Sequence, residues 1–256
     1  MDDVFWKRIH RFFVLGISAW MLFGWPACDT RPGYRDISGY YFPLDELDEG
    51  KVYAYRPVGH DTLPPFYWYY RTLSDSNTSY LTGMYYDHTF TPRQWIREER
   101  VQNGMLLQDL RLYATDSLGK QFPRPVQIAV GNVFPFEVKD SLGLWLYKIS
   151  YREFPDTLTT TTLIKNRRYI GKSSYTFQGR TYPCVRFKTL EAIENDREGT
   201  LEVTYPGEEL YAEGLGLVYY RKEIKPGWVL AYELFEIFNM PELENRFQEQ
   251  IQLENR

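Results

Sequence analysis

Turn-forming residues cut this chain into a series of short segments, and few intervals between them have the length or period of a helix. Strand candidates fall at 51–56, 66–73, 79–86, 95–101, 105–113, 126–130, 144–151, 169–177, 181–189, 199–205, 209–223 and 228–238. In 51–56, Val52 and Ala54 alternate with Tyr53 and Tyr55, the period of a strand. Asn103-Gly104 predicts a hairpin through a type I′ turn, in which both central residues need positive φ. Gln178-Gly179 and Pro226-Gly227 supply tight-turn chemistry between later neighbours. About ten strands in series, with little helix between them, predict a mainly β protein built as an antiparallel meander.

The composition says what such a sheet is made of. The chain carries 22 Tyr, 16 Phe and 7 Trp. Aromatic rings favour pleated, half-buried surfaces, and they suit either an aromatic core or a groove lined for an apolar ligand or a sugar. The densest run is Phe66–Tyr70, so Tyr67, Trp68, Tyr69 and the later Trp145 are the candidate ligand-lining residues. At the C-terminus the pattern changes. Asn239 is placed as an N-cap with Glu242 three residues on, and Leu243, Phe247 and Ile251 then recur along one face. This predicts a short helix docked on the sheet.

The N-terminus carries an address. Lys7, Arg8 and Arg11 precede an apolar run over Phe12–Trp25 that ends in Pro26-Ala27-Cys28. A membrane-spanning helix needs about 20 apolar residues, so the run reads as a signal peptide. The small residue before Cys28 resembles the lipobox of bacterial lipoproteins, although Trp25 and Pro26 depart from its usual pattern. That resemblance implies cleavage after Ala27 and lipidation of Cys28. The chain then divides into a signal peptide (1–27), a tether and lead-in segment (28–50) and one β-rich domain (51–256). Asp29 follows the cysteine, which in different groups of lipoproteins goes with inner-membrane retention or with surface display. The expected location is the cell envelope, at the outer membrane and facing the periplasm or the cell surface.

Charge and cysteine usage narrow the partners. The chain has a net charge of −4, with acidic and basic residues scattered along it. Nothing in that distribution makes an electrostatic footprint for nucleic acid. With Cys28 lipidated, Cys184 has no intrachain partner, and it reads as a small, inert strand residue. Without lipidation, a Cys28–Cys184 bridge stays open.

Signals for catalysis are sparse. His60-Asp61 and Asp87-His88 are isolated pairs in loop-like sequence, without a second metal ligand at useful spacing. There is no nucleophile elbow, P-loop or zinc-protease helix. We therefore expect no catalytic set, no metal and no cofactor. Asp-(Ser/Thr)-Leu occurs at 61–63, 116–118, 140–142 and 156–158. It is a turn initiator, because Asp caps its own backbone. It also resembles the O-glycosylation acceptor of some Gram-negative anaerobes, which makes Thr62, Ser117, Ser141 and Thr157 glycan candidates.

One further likeness covers roughly residues 165–224. Tyr169-Ile170-Gly171-Lys172, then Tyr175–Val185, then Tyr211-Ala212-Glu213-Gly214-Leu215-Gly216-Leu217-Val218-Tyr219-Tyr220 follow in a familiar order. The order resembles the later half of periplasmic domains of unknown function related to the LolA/LolB lipoprotein carriers. Glycines within a strand let a sheet kink and curve. The resemblance implies a curved antiparallel sheet, an open half-barrel with an apolar concave face and no shared catalytic residue. The expected function is a lipid-anchored, non-catalytic envelope protein that binds an apolar ligand or a protein partner in that concavity. The alternatives are an accessory subunit of an outer-membrane assembly and a surface protein that binds or acts on carbohydrate, which would need two carboxylates across a cleft.

Overall fold

The computed structural model describes residues 33–60, 62–75, 78–139, 143–156 and 158–254. The expected signal peptide and the lipidation site Cys28 lie outside these residues. The described chain forms β1 (Arg35–Asp36), two 3-10 turns (Ser38–Tyr40 and Leu44–Glu46), β2 (Lys51–Pro57), β3 (Phe66–Ser74), β4 (Ser79–Tyr86) and β5 (Pro92–Val101). Next come β6 (Gly104–Thr115), β7 (Gln121–Pro125), β8 (Gln127–Pro135), β9 (Glu137–Val138) and β10 (Trp145–Arg152). The last elements are β11 (Thr160–Phe177), β12 (Arg180–Asp196), β13 (Thr200–Ala212), β14 (Gly216–Lys225), β15 (Trp228–Phe238) and α1 (Met240–Glu254).

The sheet is mainly β and antiparallel as expected, but it is closed rather than an open half-barrel. Its order is β5-β4-β3-β2-β15-β14-β13-β12-β11-β10-β8-β6, and β6 pairs back onto β5. Twelve strands therefore make a ring, with β7 attached outside it to the far part of β6. The closing seam is the short ladder Gly104↔Pro135, Met105↔Phe134 and Leu106↔Asn132 between β6 and β8. That pairing reaches across β7, so reading local hairpins does not reveal it. The first and last long strands, β2 and β15, also pair directly.

Asn103-Gly104 has a different role from the one expected. The β5–β6 hairpin exists, but Val101 pairs with Gly104, which makes Gln102 and Asn103 the loop. Neither Asn103 nor Gly104 has positive φ. Gly104 is required by the seam, because a Cβ there would sit 2.4 Å from the Phe134 carbonyl oxygen. The type I′ signature belongs to Gln178-Gly179, at φ of 48° and 77°, which turns the long β11–β12 hairpin. Several strand bounds also move. The candidate at 209–223 is cut by a turn between β13 and β14, and β11 begins at Thr160 rather than Tyr169.

A ring of this many strands is wide, and its interior must be filled. Part of the filling comes from the lead-in segment. Ile37, Tyr41, Phe42, Leu44 and Leu47 are buried in the main core cluster. Phe42 packs its ring against Tyr53 and Tyr70, and Tyr41 packs against Phe134. Residues 37–47 thus plug one end of the barrel. β1 pairs with β9 beside this plug, and the Ile37 amide donates to the Phe136 carbonyl.

Outside the barrel, α1 covers β2 and β3. The Glu242 amide donates to the Asn239 side chain, the expected N-cap. Leu243 and Phe247 bury against Val52, Tyr67 and Phe90, whereas Ile251 is 56% exposed and leaves the docked face. Arg246 fixes the helix through two hydrogen bonds to Glu236 at 2.8 Å. Elsewhere the outward positions of β11 carry exposed Arg168, Lys172, Ser174 and Thr176, a face suited to water. No helix among the described residues is long and apolar enough to cross a membrane.

Candidate functional site

Strand alternation decides what points into the barrel. Gln94, Ile96 and Glu98 on β5 face inward beside Leu107, Leu110 and Leu112 on β6. Tyr147, Ile149 and Tyr151 on β10 and Leu163, Lys165 and Arg167 on β11 supply the next wall. Trp68 and Tyr70 from β3, Glu191 from β12, Glu209 and Tyr211 from β13 and Leu217 from β14 complete it. Between them lies a cavity of about 390 Å³, with Tyr41 and Phe42 of the plug forming its floor. Leu112 and Tyr151 also border a wider vestibule of about 830 Å³ with Arg93, Tyr113, Arg124 and Phe154. The cavity thus runs from a mouth at the Leu112–Tyr151 level down to the plug.

The lower wall is charged. Arg167 donates from Nε to Glu209 Oε2 at 2.7 Å, and Lys165 pairs with Glu209 Oε1. Both ends of this group are buried: Arg167 is 9% exposed and Glu209 4%. Burial pushes the Glu209 carboxyl up, but the nearby cations Arg167 and Lys165 outweigh it and hold it down at about 2. Tyr211 adds a 3.4 Å hydrogen bond to the same carboxylate. Lys222 pairs with Glu191 at 2.8 Å alongside.

Glu98 is the odd member. It is fully buried, and burial raises its carboxyl to about 7 against the partial opposition of Tyr41 and Arg167. It accepts a hydrogen bond from the Tyr41 hydroxyl, which ties the plug to β5. The Arg167 Nη1 is buried and has no hydrogen-bond partner. Tyr169 Oη is likewise buried and unpartnered, but Tyr169 does not border this cavity.

The residues singled out from the sequence are dispersed. Trp68 lines the cavity, stacked in parallel on Tyr70 at 5.3 Å. Tyr67 and Tyr69 face the other side of β3, where Tyr67 packs on Phe247 and Tyr69 reaches the Glu49 carbonyl. Trp145 packs edge-on to Phe187 in the core, beside the cavity rather than on it. Thr62 and Ser117 are exposed, and Ser117 sits on the vestibule wall. Ser141 and Thr157 lie outside the described residues. The triplet at Asp116 acts as a turn, since its carboxylate accepts from the amides of Leu118 and Lys120. Asp156 accepts in the same way from Leu158.

Of the histidine pairs, His60 bonds the Val229 carbonyl, and Asp87 organises its own loop through Thr89, Thr91 and Arg93. Cys184 is buried, and burial raises its thiol to about 11. Among the described residues no group of three or more His, Cys, Asp and Glu is placed to hold a metal ion.

Glu98, Lys165, Arg167 and Glu209 were missed from the sequence. A signal was available: Leu163, Lys165, Arg167 and Tyr169 alternate in phase. Two cations in register with apolar neighbours mark charges aimed into a core.

No protein-family model matches the chain, and no curated protein matches it. Two solved structures are similar. One is a candidate lipoprotein from Parabacteroides distasonis, at 13% identity and a TM-score of 0.48 over 77% of this chain and 97% of that one. The other is a candidate exported protein with a YmcC-like fold from Bacteroides fragilis, at 11% identity and a TM-score of 0.48 over 77% and 98%. Likeness at this level transfers neither function nor site residues.

Proposed function

We propose that the protein is a non-catalytic binding module of the cell envelope, tethered by lipid on Cys28, that takes an amphipathic small molecule into the barrel through its mouth. The observation that carries this reading is the cavity itself. A space of about 390 Å³, within the range of small-molecule sites, is walled by leucines, isoleucines and aromatic rings around a few convergent polar groups. The envelope address rests on the basic and apolar N-terminal run and on Cys28. A purely apolar ligand fits the upper wall but leaves the charged lower wall without a counterpart. The carbohydrate-active alternative needs a free nucleophilic or basic carboxylate. Glu209 has both oxygens committed to cations, Glu98 bonds Tyr41, and Glu191 pairs with Lys222.

The test uses N-phenyl-1-naphthylamine, an uncharged probe that brightens in apolar surroundings. Its fluorescence should rise on mixing with the protein and be lost in Leu163→Trp, which fills the cavity. Leu112→Trp at the mouth serves as a second filling variant. No enhancement with the wild-type protein, or full enhancement in both folded variants, rejects the lumen as the site and favours the accessory-subunit reading. Intact mass of the native protein tests the lipid and the glycan candidates together: added mass matching only the lipid excludes glycans on Thr62, Ser117, Ser141 and Thr157.

A further inference from the structure

The charged wall of the cavity has one donor left over. Arg167 spends Nε on Glu209, while its Nη1 is buried and unpartnered on the same side chain. A buried cationic donor without an acceptor is costly, because its hydration is lost and nothing replaces it. Neither Tyr211 nor any other acceptor among the described residues stands within hydrogen-bond reach of it. Glu98 borders the same cavity, but its hydrogen bond is with Tyr41.

We propose that Arg167 is the head-group anchor of the lumen, its guanidinium donating to the carboxylate of an amphipathic monoacid whose apolar chain runs past Leu163, Ile149 and Leu110 toward the mouth. The inference rests on the lumen being a ligand site. The register gives the route. From Arg167 to Thr161, level with Tyr151, is six residues of β11, about 20 Å of extended strand. Along that path stand the inward side chains Ile96, Leu110, Ile149 and Leu163, with Lys165 between Leu163 and Arg167.

Charge favours a single negative group. Lys165, Arg167 and Lys222 face the ionised Glu191 and Glu209, and the buried Glu98 carries its proton up to about pH 7. One positive charge is then left over below that pH. A monoanion neutralises it, a dianion overshoots, and a neutral hydroxyl head offers an acceptor without the compensating charge. Charge-assisted hydrogen bonds in such surroundings are the stronger kind, and they set which head group is preferred.

The experiment compares dodecanoate with 1-dodecanol, which share a chain and differ in the head, as competitors for bound N-phenyl-1-naphthylamine at pH 6. Dodecanoate should displace the probe at a concentration roughly tenfold or more below that of dodecanol. Arg167→Gln should erase this preference while leaving dodecanol unchanged. Arg167→Lys keeps the charge beside Glu209 but loses the planar fork, and it should lose most of the preference should the glutamine variant not fold. Equal midpoints for acid and alcohol with the wild-type protein overturn the head-group assignment and leave the lumen reading standing. A probe that does not bind, or that neither competitor displaces, overturns both.

Discussion

The two ends of the barrel solve the same geometric problem differently. At the plugged end, Phe42 packs on Tyr53 and Tyr70 and Tyr41 packs on Phe134, which in turn meets Phe187 and Tyr211. Ring pairs there stand at 4.3 to 5.8 Å, in tilted or edge-on contact. Toward the mouth the same strands continue without a plug between them. Space opens, and leucines, isoleucines and tyrosines line it above the charged lower wall. A ring of strands does not by itself set whether its interior is solid or hollow. Here the lead-in segment does, by filling one end and stopping.

This contrast can be broken by substitution. Phe42→Ala, which removes the ring at the centre of the plug, should cost about 3–5 kcal/mol in urea unfolding. Leu112→Ala at the half-open mouth should cost less than about 2 kcal/mol. Equal costs would mean that the mouth is packed as tightly as the plug.

Glu98 sits where plug and cavity meet, and its protonation gives the next largest effect. Its folded carboxyl titrates at about 7, against about 4.5 ordinarily. As pH rises past 4.5 the unfolded chain releases this proton while the folded chain keeps it, so stability falls until pH passes about 7. The difference corresponds to about 3 kcal/mol. Glu98→Gln mimics the protonated form and still accepts from Tyr41. Its stability should match wild type near pH 4 and exceed it by about 3 kcal/mol at pH 8, followed by urea midpoints across pH. A constant difference over that range would show that the Glu98 carboxyl titrates alike in the folded and unfolded chains.

Two smaller effects sharpen the picture of the walls. Asn239→Ala removes the cap of α1 and should lower stability by about 1 kcal/mol without touching probe binding in the lumen. Tyr169→Phe removes a buried hydroxyl that has no partner, so thermal unfolding should show no loss of stability. A marked loss would mean that this hydroxyl has an acceptor.

Local signals in the sequence carried much of this architecture. Alternation marked most of the strands, Gln178-Gly179 marked the long hairpin, and Asn239 with Leu243 and Phe247 marked the helix. Closure was not legible, because it depends on β6 meeting β8 and β2 meeting β15, pairings that no turn residue encodes. The half-barrel expectation followed from the resemblance over residues 165–224, whose glycines account for curvature, and curvature alone does not say whether the edges meet. Gly104 shows the same limit, since a turn signal was spent on close approach at the seam. Within the site, Trp68 was found through its aromatic run, but its neighbours Tyr67 and Tyr69 face the other way, as period two requires. Arg167 was missed because β11 was started at Tyr169, which left Lys165 and Arg167 in an unassigned stretch. Starting it at Thr160 puts both on the face of Leu163 and Tyr169.

The central claim is that the hollow end of the barrel holds an amphipathic acid with its head at Arg167. A crystal of the protein grown with 12-bromododecanoate tests it most directly, because the bromine locates the far end of the chain by anomalous scattering. The account predicts one bromine peak near Leu112 and Tyr151, with carboxylate density beside the Arg167 guanidinium. Bromine at the floor against Phe42, on the outer face of the sheet, or absent from a saturated crystal would contradict it.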